Sequence, residues 1–201
     1  GTIILGKLNC DAWAHGSSGE NSDFGNTLNP WKKEFTPGGS SSGSGAALSA
    51  NMALITTGTD TCGSIRLPAN YGYSVALKPT YGAVSRYGVI AMASSLDTVG
   101  PMGHTVSDVE TVFNVIKGED GFDGTVTDHS SLFTDHKLKI GIPKEFFVDG
   151  LDSEVRKEIE NTIQIYKKLG VKIKEVSLPL TKYAISVYYI IQPAEVSSNA
   201  G

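Results

Sequence analysis

Residues 37–69 read PGGSSSGSGAALSANMALITTGTDTCGSIRLPA. With Thr36 in front, residues 36–45 have Gly or Ser at eight of ten positions, a composition that usually marks a flexible linker. A linker does not normally run straight into small residues and good helix formers, as this one does at AALSANMALITTG (46–58). The loop therefore feeds a helix whose first turn is built of Gly and Ser. A second loop, GTDTCGSIRLPA at residues 58–69, lies beyond that helix. A helix of small side chains between the two loops can bring their ends to one side of a sheet.

Working outward, residues 77–101 (LKPTYGAVSRYGVIAMASSLDTVGP) are punctuated by Gly and carry a short apolar burst at residues 89–92. Over residues 105–117 the apolar positions Val106, Val109, Val112, Phe113 and Ile116 recur at helical spacing. Thr105 can cap this helix, Asp108 can complete a capping box and Gly118 can stop it. Residues 119–137 are polar and irregular and read as a surface crossing. Next come a short strand (LKIGIP, 138–143), an amphipathic helix over 152–169 with Val155, Ile159, Ile163 and Tyr166 on one stripe, and an alternating strand (VKIKEVSL, 171–178). Strand, helix, strand predicts a right-handed crossover and an α/β sheet. Residues 3–5 (IIL) are strand-like, and residues 185–201 (ISVYYIIQPAEVSSNAG) stop inside a continuing element, so the chain reads as cut at both ends.

Composition narrows the function. The chain has 201 residues, with 17 Lys+Arg against 21 Asp+Glu and a formal net charge of -4. At 40% hydrophobic and 19% charged residues it has enough apolar material for a core and is not a disordered polymer. A surface built to coat nucleic acid would be basic, and this chain is mildly acidic. Two cysteines, Cys10 and Cys62, make neither a disulfide framework nor a CxxC zinc pair, which favours a reducing compartment. No run reaches the roughly 20 apolar residues of a membrane span, and the opening GTIILGKLNC lacks a charged leader and a cleavage site. A soluble protein is expected, cytoplasmic, or organellar if its source is eukaryotic.

Three chemistries compete for the Gly/Ser loop. A phosphate cradle of the P-loop type needs a GK[ST] ending, and this loop ends GSGAA. A nucleophile elbow, GxSxG over residues 39–43 with Ser41 as nucleophile, should follow a strong apolar strand, whereas WKKEFTP precedes it. Its base would have to be His104, His129 or His136, which lie at a helix start and in the polar crossing. The third reading joins Ser40 of the first loop to Ser64 of the second.

The block at residues 37–69 resembles the amidase signature, and GKLNCDAWAHGSSGENSDFGNTLNPW and LKPTYGAVSRYGVIAMASSLDTVGP are similar to the branch that provides the A subunit of aspartyl/glutamyl-tRNA amidotransferases. The likeness is close over residues 3–116 and continues through IPKEFF, EVSLP and VYYIIQPAEVSSN. Ala83 departs from the Arg usual in YGRVSRYG, and His104 stands where a basic residue commonly precedes the helix.

The resemblance implies an amidase-signature α/β fold, a mixed β-sheet core covered by helices on both faces, with residues 1–201 part of a single domain truncated at both ends. It implies Ser64 as the acyl-ester nucleophile and Ser40 as a bridging serine held by a cis peptide bond. The third member is a Lys in an apolar segment well upstream, which places the catalytic Lys outside this chain. Lys7 matches a different family position, where it reads as a strand-end surface lysine, and Lys78 reads as structural. An alcohol is a weak nucleophile until a base is within reach, and a neutral buried Lys can be that base. The backbone N–H groups of Thr61, Cys62, Gly63 and Ser64 would form an oxyanion hole. Cys62, where Gly is commoner, reads as a buried inert thiol, since no His or basic residue flanks it closely. Asp60 and Arg66 would pair beneath the loop. One of Tyr188 and Tyr189 would line the glutamine pocket, near which the backbone of Ala14 and His15 would also lie, although adjacent tyrosines are often core and rim.

The implied function is glutamine hydrolysis to supply ammonia for converting Glu-tRNA(Gln) or Asp-tRNA(Asn). The B and C subunits of the amidotransferase would be partners, acylated tRNA would be reached through the complex, and ATP and Mg would be used by the B partner, with no metal or cofactor in this chain. A stand-alone amidase of the same signature and a non-catalytic fragment remain the alternatives.

Overall fold

The structure, a computed structural model, describes residues 2–127 and 138–201. It divides into two compact units, Gly1–His129 with Ile191–Gly201, and Ser130–Ile190.

In the first unit the Gly/Ser loop does open a helix, α1 (Ser42–Ser49), but that helix is short. The sequence after it leaves the helical path and forms β1 (Ile55–Asp60), followed by α2 (Arg66–Tyr71). The opening of β1 was expected to continue the helix and the start of α2 to be loop. β1 pairs antiparallel with β3 (Thr98–Gly103), which pairs on its other side with the two-residue β2 (Val75–Ala76). The core beneath this sheet is Leu48 of α1, Ile65 and Ala69 at α2, and Met102 of β3. The burst at residues 89–92 forms neither helix nor strand.

Small side chains in α1 are what allow this packing. A Cβ added to Gly45 would lie 2.7 Å from the carbonyl oxygen of Pro68, so α1 and α2 approach as closely as glycine permits. Ser44 Oγ donates to the carbonyl of Thr57 (2.8 Å), and Thr56 Oγ1 returns a bond to the carbonyl of Ser44 (3.2 Å). Gly45→Ala is expected to destabilise the chain by about 1–3 kcal/mol, because the added methyl meets backbone rather than a movable side chain. Urea unfolding measures it, and a midpoint equal to that of the unsubstituted chain would mean that the helices separate freely.

The capped helix appears as α3 (Val106–Ile116), with both halves of the Thr105–Asp108 capping box formed. Residues 3–5 do not form the expected strand: no second strand pairs with them among the described residues, and Ile3 and Ile4 are 84% and 86% exposed. Lys7 is consequently not at a strand end.

The second unit holds β4 (Lys139–Pro143), α4 (Ser153–Lys168) and β5 (Lys172–Val176), with β4 and β5 parallel as the strand–helix–strand pattern predicts. Asp152 caps α4 by accepting from the amides of Glu154 (2.8 Å) and Val155 (3.1 Å). The stripe Val155, Ile159, Ile163 and Tyr166 faces Ile140, Ile142 and Ile173 of the strands across one cleft. The last element, α5 (Ala184–Asn199), is a helix that carries Pro193 within it. One antiparallel and one parallel sheet with five α-helices among the described residues make this an α/β fold.

Candidate functional site

Two loops meet because α1 is fastened alongside β1. Near the start of α1, Ser41 Oγ contacts the backbone of Thr59, donating to its carbonyl and accepting from its amide, each at 3.3 Å. One turn further, Ser44 and Thr57 repeat the attachment. The helix start therefore lies beside the end of β1, and the loops flanking these two points must converge. They are joined directly by the Ser41 N–H, which donates to the carbonyl of Ser64 at 3.1 Å. Ser40 and Ser64, 2% and 9% exposed, are thus brought to one place. The Gly39–Ser40 peptide bond is cis.

Engagement of the Ser41 hydroxyl by β1 also removes the case for an elbow nucleophile, since that oxygen is occupied in the scaffold. Of its proposed bases, His104 lies 3.2 Å through Nε2 from the carbonyl of Ala53, while His129 and His136 fall outside the described residues.

A carboxylate supports each loop. Beneath the first, fully buried Asp11 donates its N–H to the carbonyl of Ser40 (3.0 Å) and accepts from the amides of Gly19 (3.1 Å) and Asn21 (3.0 Å). Beneath the second, Asp60 accepts from the amides of Gly63 (2.7 Å) and Ile65 (3.2 Å) and from Nε and Nη2 of Arg66, both at 3.0 Å. Burial pushes the Asp60 carboxyl up, but the Arg66 guanidinium and the amides of Ile65 and Gly63 outweigh it and hold the group below its usual 3.8. The same hydrogen bond from Arg66 raises the guanidinium above its ordinary value, against the opposing effect of burial.

Of the four amides expected to face an oxyanion, that of Gly63 is directed into Asp60. It organises the turn from below and leaves Thr61, Cys62 and Ser64 as the candidate donors. Cys62 is exposed, not buried, and Arg66 is near enough for the two groups to interact electrostatically, so both premises of the inert-thiol expectation fail. The turn swings the side chain at position 62 outward while its neighbours Gly63 and Ser64 are buried.

Sequence reading missed Asp11 and Asp97. Asp97 is 6% exposed, accepts from the Thr61 hydroxyl (2.7 Å) through Oδ1, and takes the amides of Met92 (2.9 Å) and Ala93 (3.0 Å) on Oδ2. A lone Asp flanked by apolar Leu96 and by Thr98 in SLDTV was the only available signal.

His15 is exposed and its Nε2 is 2.6 Å from Nε2 of buried Gln192. Lys7 is exposed, and Lys78 donates to the carbonyl of Pro79 at 2.8 Å. Tyr188 and Tyr189 belong to the second unit, with their rings edge to face at 5.6 Å and Tyr189 exposed. Among the described residues no three His, Cys, Asp or Glu side chains converge as a metal site, and no helix is long and apolar enough to cross a membrane.

Known proteins are similar to this chain in sequence and fold. The Amidase family profile matches residues 1–201. The glutamyl-tRNA(Gln) amidotransferase A subunit of Trichlorobacter lovleyi is 53% identical over 206 aligned positions, which take in 99% of this chain and 42% of the relative. The corresponding A subunit of Roseiflexus sp. (strain RS-1) is 51% identical with the same coverage. The crystal structure of the glutamyl-tRNA(Gln) amidotransferase A subunit from Thermotoga maritima superposes with a TM-score of 0.90 at 41% identity, covering 98% of this chain and 45% of that one. A peptide amidase from Stenotrophomonas maltophilia superposes at 0.82 with 29% identity, covering 98% and 43%. The chain thus spans 42% of the length of the curated relatives it matches.

Proposed function

The chain belongs to the amidase family, and from that premise we propose that it forms part of the glutaminase subunit of a tRNA-dependent amidotransferase, within a single amidase-signature domain. The observation that carries this reading is the 53% identity with the A subunit of a glutamyl-tRNA(Gln) amidotransferase over 99% of the chain. The convergence of the Ser40 and Ser64 loops supports it.

In the proposed reaction Ser64 Oγ attacks the side-chain carboxamide carbon of glutamine. Its proton passes to Ser40 Oγ while the Ser40 proton moves to a lysine base, which the family pattern puts upstream of this chain. The amides of Thr61, Cys62 and Ser64 meet the negative charge that develops on the carbonyl oxygen. Collapse of the tetrahedral intermediate breaks the C–N bond, and the nitrogen leaves as ammonia with the proton returned through the serines. Water then hydrolyses the γ-glutamyl ester on Ser64 to glutamate. Asp60 and Arg66 hold the nucleophile turn from below, and the backbone of Ala14 and His15 lies near the glutamine. The protein needs no metal or cofactor of its own for that chemistry; ATP and Mg serve the B partner in activating the acyl group of acylated tRNA, and the C partner completes a cytoplasmic complex.

The test is ammonia release by the full-length protein, measured alone and with the B and C partners, ATP, Mg and Glu-tRNA(Gln) or Asp-tRNA(Asn). Slow release alone and faster release in the complex is expected, because coupling two sites requires a state that both ligands favour. Full activity on simple alkyl or aryl amides, indifferent to every partner, would assign a stand-alone amidase instead.

A further inference from the structure

We propose that Asp97 is a positioning residue for the nucleophile turn, acting through the hydroxyl of Thr61. The inference rests on the amidase reading above and adds to it the group that holds the upper end of the oxyanion loop.

Asp60 secures only one side of that loop. Its carboxylate takes the amides of Gly63 and Ile65, both at or beyond the middle of the turn. Thr61, the first residue after β1, is held differently. Its hydroxyl donates to Asp97 Oδ1 at 2.7 Å and lies 3.5 Å from the sulfur of Met92. A single hydroxyl proton serves one acceptor well, and the shorter contact to a carboxylate is the stronger.

Asp97 is itself fixed on three sides. Oδ2 accepts from the amides of Met92 and Ala93, which closes residues 92–97 into a compact turn. The backbone repeats the closure, with the amides of Leu96 and Asp97 both donating to the carbonyl of Ala93 at 2.9 Å. The end of α5 then grips the turn from outside: Asn199 Nδ2 donates to the carbonyl of Met92 (3.1 Å), and Glu195 accepts from the amide (3.0 Å) and hydroxyl of Ser95. A buried carboxylate that accepts three hydrogen bonds in this way is a rigid point, and the Thr61 hydroxyl transmits that rigidity to the amides of Thr61 and Cys62. Oxyanion donors are effective only when they are already in place as charge develops. Asp97 touches neither substrate nor reacting atoms, so its contribution is to geometry.

Cys62 provides a readout independent of catalysis. It is exposed, free and adjacent to Thr61, while Cys10, also exposed and free, serves as internal reference in the same molecule. The experiment measures iodoacetamide alkylation of both thiols in this chain by mass spectrometry, for Thr61→Val, Thr61→Ser and Asp97→Asn. Thr61→Val keeps the shape and removes the hydroxyl. Asp97→Asn leaves one carbonyl oxygen to serve donors that now occupy two. Both are expected to change the Cys62 to Cys10 rate ratio severalfold, and Thr61→Ser, which restores the hydroxyl, is expected to return it to the original value. An unchanged ratio in Thr61→Val and Asp97→Asn, or failure of Thr61→Ser to restore it, overturns the proposal.

A kinetic arm uses the full-length protein. Thr61→Val should lower kcat for glutamine by about tenfold or more while KM stays within about twofold, since loss of a single oxyanion donor costs about 10²–10³ and here donors are displaced, not deleted. An equal fall in ground-state affinity, or an undiminished kcat, overturns the positioning role. If the full-length protein hydrolyses no glutamine at all, the functional reading fails, yet the thiol ratio still decides whether Asp97 and Thr61 hold the loop.

Discussion

Ser64→Ala in the full-length protein is expected to reduce glutamine hydrolysis by about 10⁴-fold or more, to the residue of rate that oxyanion donors and binding supply without a nucleophile. Ser41→Ala should cost far less. The two serines are close, since the Ser41 amide donates to the Ser64 carbonyl, but their hydroxyls have different occupations. That of Ser41 is bound into β1 through Thr59, where its loss removes a part-buried hydrogen-bonded contact worth about 0.5–1.5 kcal/mol. Ser64 sits in the turn between β1 and α2, flanked by the two amides that Asp60 organises. Initial rates of glutamate formation for the two variants, with urea unfolding as a folding control, separate catalysis from packing. An inactive, folded Ser41→Ala beside an active Ser64→Ala would reverse the assignment and restore the elbow reading.

Why the sequence revealed some parts of the molecule and hid others follows from what each residue contributes. α3 was legible because Thr105 and Asp108 stand at capping-box spacing ahead of a helical apolar stripe, both of which are local signals. The β4–α4–β5 unit was legible for the same reason, its alternation and its stripe each repeating with a single period. β1 and β3 were not. ITTGTD and TVGPMG contain Gly and Pro, residues that argue against strand interiors. In β1 the Gly is there for space: a Cβ on Gly58 would lie 2.6 Å from Ser41 Oγ, so the strand accepts a poor propensity in order to seat α1 against it. Tertiary contact decides these positions, and no window of sequence contains it.

The site divides in the same manner. Ser40 and Ser64 were reached through a long family-like block, not through any period or spacing that would single them out among neighbouring serines. The pairing of Asp60 with Arg66 was expected and is observed. The outward turn of Cys62, the diversion of the Gly63 amide into Asp60 and the anchoring of Thr61 by Asp97 depend on backbone direction within a five-residue turn. Asp11 and Asp97 illustrate the limit most clearly, for a buried carboxylate bound by amides has the same letter as one in water.

Arg66→Met is expected to give the other large effect, on stability and on its pH dependence. The partners of this ion pair are unequal: the Asp60 side chain is 0% exposed and that of Arg66 is 54% exposed. Removing Asp60 would return a half-hydrated guanidinium to water. Removing Arg66 leaves a buried carboxylate with only the amides of Gly63 and Ile65, and breaking a buried pair from one side costs about 3–5 kcal/mol, with the lower figure apt for a partner already half in solvent. In the unsubstituted chain Asp60 lies below its usual 3.8, so its stabilising contribution is present above that value and is lost as pH falls through the lower folded value. In the variant, burial loses its main opponent and the folded carboxyl rises. The two proteins should therefore differ most near neutrality, where both hold Asp60 charged, and converge as pH falls through the variant's folded value and then the original's. Urea unfolding at a series of pH values from neutral to acid tests this. A stability gap that stays constant over the series would mean that Arg66 contributes by the packing of its side chain, and that the charge on Asp60 is held by the turn alone.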